Sequence, residues 1–154
     1  MNEKLKRLRL VEYSNKLEVP DFIKESEILN ECIVGLETLS TLDTPKKKLN
    51  CLITIINSIC TGFMFLANKP DDQASVDDIL HLLCYIILSS SAKNLVCELR
   101  YIQTFYYFSE EEKFGKISFC LKNLEIALEF LKSINLENEN IYEEDDFELH
   151  IDEN

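Results

Sequence analysis

The chain has 154 residues, 46% of them hydrophobic, and this length suits one hydrophobic core better than two. Its net charge is −12, but residues 137–154 contain nine acidic residues and no Lys or Arg, which leaves about −3 for the rest. A near-neutral body with no predicted basic stripe lacks both the counterion release that drives nucleic-acid binding and the attraction to anionic lipid. We therefore expect neither nucleic acid nor a membrane surface as a partner.

Cysteine and histidine usage indicates an intracellular protein without a metal centre. The six cysteines form no C-x-x-C pair and lie in apolar helical patterns, as reduced core thiols of a cytosolic protein do. The N-terminus is charged and does not resemble a secretion signal. With two histidines and no glycine-rich phosphate loop, serine elbow or H-E-x-x-H motif, we expect no zinc site, no cofactor and no metabolic enzyme. The predicted core thiols are Cys32, Cys51, Cys60, Cys84, Cys97 and Cys120.

The pattern of apolar residues predicts an all-α fold, a single layered bundle of about six helices. Only three Gly and three Pro interrupt the chain, whereas a sandwich or barrel needs many turn residues. We divide the chain into an N-terminal helix at 1–16, a helical domain at 17–136 and a flexible acidic tail at 137–154. The predicted helices lie near residues 3–16, 21–40, 45–67, 76–90, 92–107 and 109–134, with a hydrophilic loop at 68–74.

Several helix starts carry their own signals. Pro20 and Pro45 suit first helical positions, and Thr44 is a good cap before the second. Ser75 precedes Asp78 by three residues, which resembles a capping box. The last predicted start is Ser109, because Glu110, Glu111 and Glu112 follow it and carboxylates favour the positive end of the helix dipole.

Two segments are especially apolar. Residues 49–66 approach the length of a membrane span, but polar residues such as Asn50 and Asn57 interrupt them, so we interpret the segment as a buried helix. Residues 79–88 are apolar on nearly all sides, which predicts a helix at the centre of the bundle.

The residues with potential chemistry also have plain structural explanations. Asp77 and Asp78 fall in the first turn of the central helix, where each carboxylate stabilises the helix dipole by about 0.3–1 kcal/mol. His81 lies four residues after Asp77 and could contact it on the same face. The aromatic run Tyr101 and Phe105 to Phe108 is explained by core packing, with an exposed binding patch as the alternative.

Five segments, in order along the chain, carry a family resemblance. They are LEVPDF at 17–22, TPKKKLNCLITIINSI at 44–59, ASVDDILHLLCYIIL at 74–88, NLVCELRYIQTF at 94–105 and KNLEIALEFLKSI at 122–134. Together they resemble the vacuolar protein sorting nine family, whose most diagnostic stretch reads A-x-DDFLP-x-L-IY and whose closing motif begins TNL. Members of that family are exchange factors for Rab GTPases of the Rab-five branch.

This resemblance implies a layered helical domain that grips the switch regions of an endosomal Rab GTPase. The aspartate at the start of the central helix matches Asp77, which the resemblance makes the catalytic residue. It would disfavour magnesium at the phosphate site and pair with the phosphate-loop lysine of the emptied GTPase. By the same resemblance the GTPase-binding residues are Asp78, His81, Phe119, Lys122 and Asn123.

Three of these positions depart from the family pattern. His81 replaces a proline, Phe119 replaces a tyrosine that supports the aspartate, and Lys122 replaces a threonine. A cation at position 122 could reach Asp77 and compete with the lysine of the GTPase. The alternatives to an exchange factor are a Rab-binding adaptor with weakened catalysis and a helical scaffold whose acidic tail recruits a basic partner. We expect a cytoplasmic protein that is recruited to endosomal membranes.

Overall fold

The computed structural model describes residues 1–66, 75–109 and 115–135, and within these ranges it contains seven α-helices and no β-strand. The predicted all-α bundle is confirmed. Short 3₁₀ turns lie at Tyr13–Lys16 and Leu39–Thr41. The α-helices are α1 Asn2–Leu10, α2 Asp21–Lys24, α3 Glu27–Thr38, α4 Pro45–Leu66, α5 Val76–Ser89, α6 Leu95–Phe105 and α7 Lys116–Ser133.

Two predicted helices are each broken into two pieces. The helix predicted at 3–16 stops after α1 because Glu12 adopts a left-handed conformation with φ of 49°, which a helix cannot continue through. The helix predicted at 21–40 is divided by Ser26, whose Oγ accepts a hydrogen bond of 3.2 Å from the Leu29 amide and so caps α3. Local capping and turn geometry override the helical periodicity at both places.

The other helix starts mostly follow their signals. Pro45 is the first residue of α4, and Thr44 Oγ1 accepts from the Lys47 amide at 3.3 Å, as predicted. Pro20 lies one residue before α2 instead of inside it. Ser109 is not helical, and the described part of the last helix begins at Lys116. The remainder of that predicted start at 110–114, the loop at 68–74 and the acidic tail at 137–154 lie outside the described residues.

The most apolar helix is central, as predicted. α5 packs against α1, α3, α4 and α7, and seven of its side chains are buried. Leu5 and Leu8 of α1 are fully buried in the same core. Among the described helices, α4 included, none combines the length and hydropathy that crossing a bilayer requires.

Three polar contacts show that α5 and α7 run in the same direction. Midway along the pair, the Cys84 thiol donates to the Ala127 carbonyl at 3.8 Å. The C-terminal ends of both helices then meet α1: Arg9 Nη2 donates to the Ile87 carbonyl at 2.9 Å, and Lys4 Nζ donates to the Ile134 carbonyl. The N-terminal ends of α5 and α7 therefore lie together at the opposite end of the bundle.

A buried lysine joins α4 to its neighbours. Lys48 Nζ lies 2.6 Å from Glu98 Oε2 on α6 and 2.8 Å from the Leu39 carbonyl, and its side chain is only 6% exposed. The same ammonium lies 5.8 Å from the ring centroid of Tyr101. Lys47, the preceding residue, instead forms an exposed pair with Asp43. Of the three consecutive lysines at 46–48, only Lys48 is therefore part of the core.

The prediction of six core thiols is wrong at Cys97, which is exposed on α6. Cys51 and Cys60 are half-buried. Desolvation raises the pKa of Cys84 to about 12 and that of Cys32 to about 11, which keeps both as unreactive thiols.

We expect alkylation of the native protein to begin at Cys97. With iodoacetamide at mildly alkaline pH, the first adduct should appear there, because its sulfur is accessible while Cys84 and Cys32 require unfolding. Mass spectrometry of a time course gives the order of labelling, and denaturant should make all six thiols reactive. In a Cys97→Ser variant the fast phase should disappear; its persistence would contradict the exposure assigned to this residue.

Candidate functional site

The first turn of α5 contains a complete capping box. Ser75 Oγ accepts from the Asp78 amide at 3.1 Å, and Asp78 Oδ2 accepts from the Ser75 amide at 3.0 Å. Ser75 Oγ also lies 2.7 Å from Asp78 Oδ2. This confirms the capping box predicted from the sequence. The Asp78 carboxylate is therefore engaged in fixing the helix start.

Asp77 differs from Asp78 in its exposure and in its hydrogen bonding. Its side chain is exposed, and none of the hydrogen bonds or ion pairs formed between described residues involves it. The capping box holds the backbone on both sides of it. The two adjacent aspartates therefore have different roles. Asp78 fixes the helix start, and Asp77 exposes its carboxylate to solvent.

α7 brings the other predicted positions to the same end of the bundle. Phe119 lies one turn into α7 and is 43% exposed, so much of its ring is available to a partner. Asn123 is buried, and its Nδ2 donates to the Phe119 carbonyl at 2.8 Å. Because α5 and α7 are parallel, these residues lie at the end of the bundle that also carries Asp77.

The contact predicted between Lys122 and Asp77 is not present. Lys122 is exposed, and its Nζ lies 2.7 Å from Glu125 Oε2, one turn further along α7. Within the described residues, no hydrogen bond joins His81 to Asp77 either, although His81 is half-buried on the same helix. Among the described residues neither side chain pairs with Asp77, and Lys122 is engaged instead by the i,i+3 pair on α7.

The aromatic run is only partly in the core, which corrects the packing interpretation. Phe105 is 67% exposed and Tyr107 is 91% exposed. Tyr101 is half-buried and packs against Phe105 with ring centroids 5.1 Å apart and ring planes tilted by 49°. The end of α6 therefore places two large aromatic side chains in solvent.

One cation near this end was not predicted. Lys116, the first residue of α7, lowers the pKa values of the Cys60 and Cys120 thiols electrostatically, although burial has the larger effect and raises both. These couplings place the first turn of α7 beside the second half of α4. No sequence signal distinguishes Lys116 from the other exposed lysines.

Among the described residues, no cluster of His, Cys, Asp and Glu could hold a metal ion.

Comparison with known families decides which kind of domain this is. The model of the Vacuolar sorting protein 9 (VPS9) domain matches residues 29–136. The chain belongs to the VPS9 domain family. The match runs from the first turn of α3 to beyond the end of α7 and thus contains Asp77 and every α7 position described above.

Three curated relatives show how this VPS9 domain compares in sequence. The Caenorhabditis briggsae "Receptor-mediated endocytosis protein 6" is 25% identical over 118 residues, which is 77% of this chain and 10% of the relative. The human "Rab5 GDP/GTP exchange factor" is 26% identical over 125 residues, 81% of this chain and 25% of the relative. The Schizosaccharomyces pombe "Vacuolar protein sorting-associated protein vps901" is 23% identical over 145 residues, 94% and 24% respectively. The VPS9 domain chain therefore spans a quarter or less of these relatives.

Proposed function

We propose that this VPS9 domain is a guanine nucleotide exchange factor for a Rab5-type GTPase and that Asp77 is its catalytic residue. Membership of the family and the similarity to the human Rab5 GDP/GTP exchange factor support the activity. The observation that carries the assignment to Asp77 is its exposed carboxylate, unpaired among the described residues, beside an Asp78 engaged in the capping box. Of the two aspartates, only Asp77 is free to meet a ligand of opposite charge.

The mechanism follows from electrostatics. A carboxylate brought to the phosphate site raises the energy of bound nucleotide and its magnesium ion, because it repels phosphate and competes for the metal. After the nucleotide leaves, the same carboxylate pairs with the phosphate-loop lysine of the GTPase. The domain accelerates release because it binds the nucleotide-free form more strongly than the nucleotide-bound form.

The α7 residues supply the rest of the proposed contact surface. Phe119 contributes an exposed ring, and Asn123, bonded to the Phe119 carbonyl, fixes the turn that carries it. Lys122 of α7 and His81 of α5 complete this proposed contact surface, to which Asp78 contributes through the helix start that it caps. We further propose that the protein acts in the cytoplasm at endosomal membranes, in line with the endocytic name of the nematode relative.

Release of a fluorescent GDP analogue from a Rab5-type GTPase tests the proposal. We expect the release rate to rise in proportion to the concentration of the VPS9 chain, with excess unlabelled GTP present to prevent rebinding. A parallel pull-down compares binding to nucleotide-free and GDP-loaded GTPase. Binding without acceleration would favour the adaptor, the second candidate suggested by Phe119 and Lys122, and absence of both would overturn the proposal.

The departures at Phe119 and Lys122 predict that the exchange rate can be raised by substitution. In a Phe119→Tyr, Lys122→Thr double variant, a new hydroxyl beside Asp77 is worth about 0.5–1.5 kcal/mol, which corresponds to at most about tenfold in rate. Most of the gain should come from Phe119→Tyr, because Lys122 pairs with Glu125 and not with Asp77. The single variants in the same GDP-release assay separate the contributions. An unchanged rate in Phe119→Tyr would remove Phe119 from the contact surface.

A further inference from the structure

The near-neutral body of the protein conceals an uneven distribution of charge. α1 carries four basic residues and one acidic residue within nine positions. It lies at the end of the bundle opposite Asp77, where its Lys4 and Arg9 hold the C-terminal ends of α7 and α5. The most basic helix is therefore spatially separate from the proposed exchange site.

An open groove of about 580 Å³ lies along this helix, between α1 and the segment that joins α5 to α6. Three cations line it, Lys6, Arg9 and Lys93, against the single carboxylate of Glu3. Arg9 is already engaged, because its Nη2 donates to the Ile87 and Ala92 carbonyls. Lys6 and Lys93 are exposed and make no hydrogen bond or ion pair with other described residues, so their ammonium groups are available to an anion.

The groove also has an apolar side. Leu10, at the end of α1, is 74% exposed and lies on its wall, and Leu5 forms part of its floor. An occupant that matches this surface should combine several negative charges with isolated apolar side chains.

Residues 137–154 have this composition. They contain nine Asp or Glu and no Lys or Arg, interrupted by one Ile-Tyr pair and three single apolar or aromatic residues. The interruptions are Ile141, Tyr142, Phe147, Leu149 and Ile151. The described chain ends beside the helix that lines the groove, because the Ile134 carbonyl at the end of α7 accepts a hydrogen bond from Lys4 of α1.

We propose that residues 137–154 dock on the groove along α1 as an intramolecular acidic ligand. Attachment to the same chain gives the segment an effective concentration in the millimolar range, which favours it over an anion in solution even if each contact is weak. Eighteen residues can extend about 60 Å, so the groove is within reach throughout. Docking masks Lys6 and Lys93 from other anionic partners. It is independent of the proposed exchange activity, since it concerns the opposite end of the bundle.

A tryptophan placed in the segment reports the docking, because the sequence contains no other. In a full-length Phe147→Trp protein, we expect emission at shorter wavelength and reduced acrylamide quenching at low salt. Both should be lost between about 10 mM and about 1 M NaCl, as the Debye length falls from roughly 30 Å to roughly 3 Å. A fully solvated tryptophan at low salt would overturn the proposal.

Charge reversals locate the docking site. Lys6→Glu with Lys93→Glu should raise the quenching to its high-salt value, whereas Lys46→Glu with Lys47→Glu, the same charge change on exposed residues of α4, should leave it low. Equal effects of the two double variants would contradict this location. The reciprocal variant removes four charges from the segment through Glu143→Gln, Glu144→Gln, Asp145→Asn and Asp146→Asn. If its tryptophan is still protected from acrylamide at low salt, the proposal is also overturned.

Vesicles separate a protein ligand from a lipid surface. With phosphatidylserine-containing vesicles, a docked segment should keep the full chain in the supernatant at low salt. Sedimentation that depends on Lys6 and Lys93, together with a solvated tryptophan, would assign the groove to anionic lipid and exclude the intramolecular ligand.

Discussion

Replacing Asp77 by Asn should reduce the stimulated release of GDP from a Rab5-type GTPase by about one to two orders of magnitude. Asn keeps the shape of the side chain and removes its charge, so it can neither repel the phosphates nor neutralise the phosphate-loop lysine. A hydrogen bond to a charged group is worth about 1.5–3 kcal/mol, and about 1.4 kcal/mol corresponds to tenfold in rate. The free energy of unfolding should fall by no more than the roughly 0.3–1 kcal/mol of the helix-dipole interaction, since Asp77 has no side-chain partner among the described residues.

Ser75→Ala is the matched control for this loss. It removes the hydroxyl that caps α5 and should cost about 1 kcal/mol of stability, but it leaves the Asp77 carboxylate in place. We therefore expect Ser75→Ala to lower the midpoint of urea unfolding and to retain most of the exchange rate, whereas Asp77→Asn should lose most of the exchange rate with no larger a change in the midpoint. Chelation of magnesium should reduce the difference between wild type and Asp77→Asn, because part of the proposed action is against the metal. Equal exchange rates in wild type and Asp77→Asn would sink the assignment.

The central helix and its start were predictable because each depends on residues close together in the sequence. The Ser75 and Asp78 spacing specifies a capping box, and the apolar run at 79–88 specifies a helix surrounded by neighbours; both are confirmed. The breaks at Glu12 and Ser26 were missed for the opposite reason. Each is a local backbone choice within a segment whose apolar periodicity continues across it.

The partners of side chains were harder to predict than the helices. The family resemblance implied that Lys122 could reach Asp77, whereas the structure pairs it with Glu125, three residues further along α7. Phe105 and Tyr107 were predicted to pack in the core. Both are exposed, because α6 ends at Phe105. Which of two sterically allowed contacts forms depends on packing between distant segments, and spacing within one helix does not contain that information.

Lys48 illustrates a signal that was present in the sequence and easily overlooked. It belongs to a run of three lysines, which is typical of an exposed helix start. Yet positions 48, 52, 55 and 59 follow helical steps of four and three, so Lys48 lies on the same face as Leu52 and Ile55, which are buried. Helical periodicity identifies the one lysine of the run that must find a buried partner.

Replacing Lys48 by Met should destabilise the protein by about 3–5 kcal/mol, the cost typical of breaking a buried ion pair from one side. Methionine fills the space of the lysine stem, but Glu98, whose side chain is 15% exposed, then loses its countercharge 2.6 Å away. The Leu39 carbonyl loses its donor as well. Urea unfolding followed by circular dichroism measures the loss.

Two companion variants test whether the loss of stability arises from the buried ion pair. Lys47→Met removes the neighbouring lysine, whose pair with Asp43 is exposed on both sides, and should cost no more than about 1 kcal/mol. Lys48→Met combined with Glu98→Gln removes both charges and should be more stable than Lys48→Met alone, because no unpaired carboxylate remains near the core. If Lys48→Met lowers the free energy of unfolding no more than Lys47→Met does, the contact between α4 and α6 does not depend on the Lys48–Glu98 pair. The large predicted difference between adjacent lysines arises from burial, since their chemistry is the same.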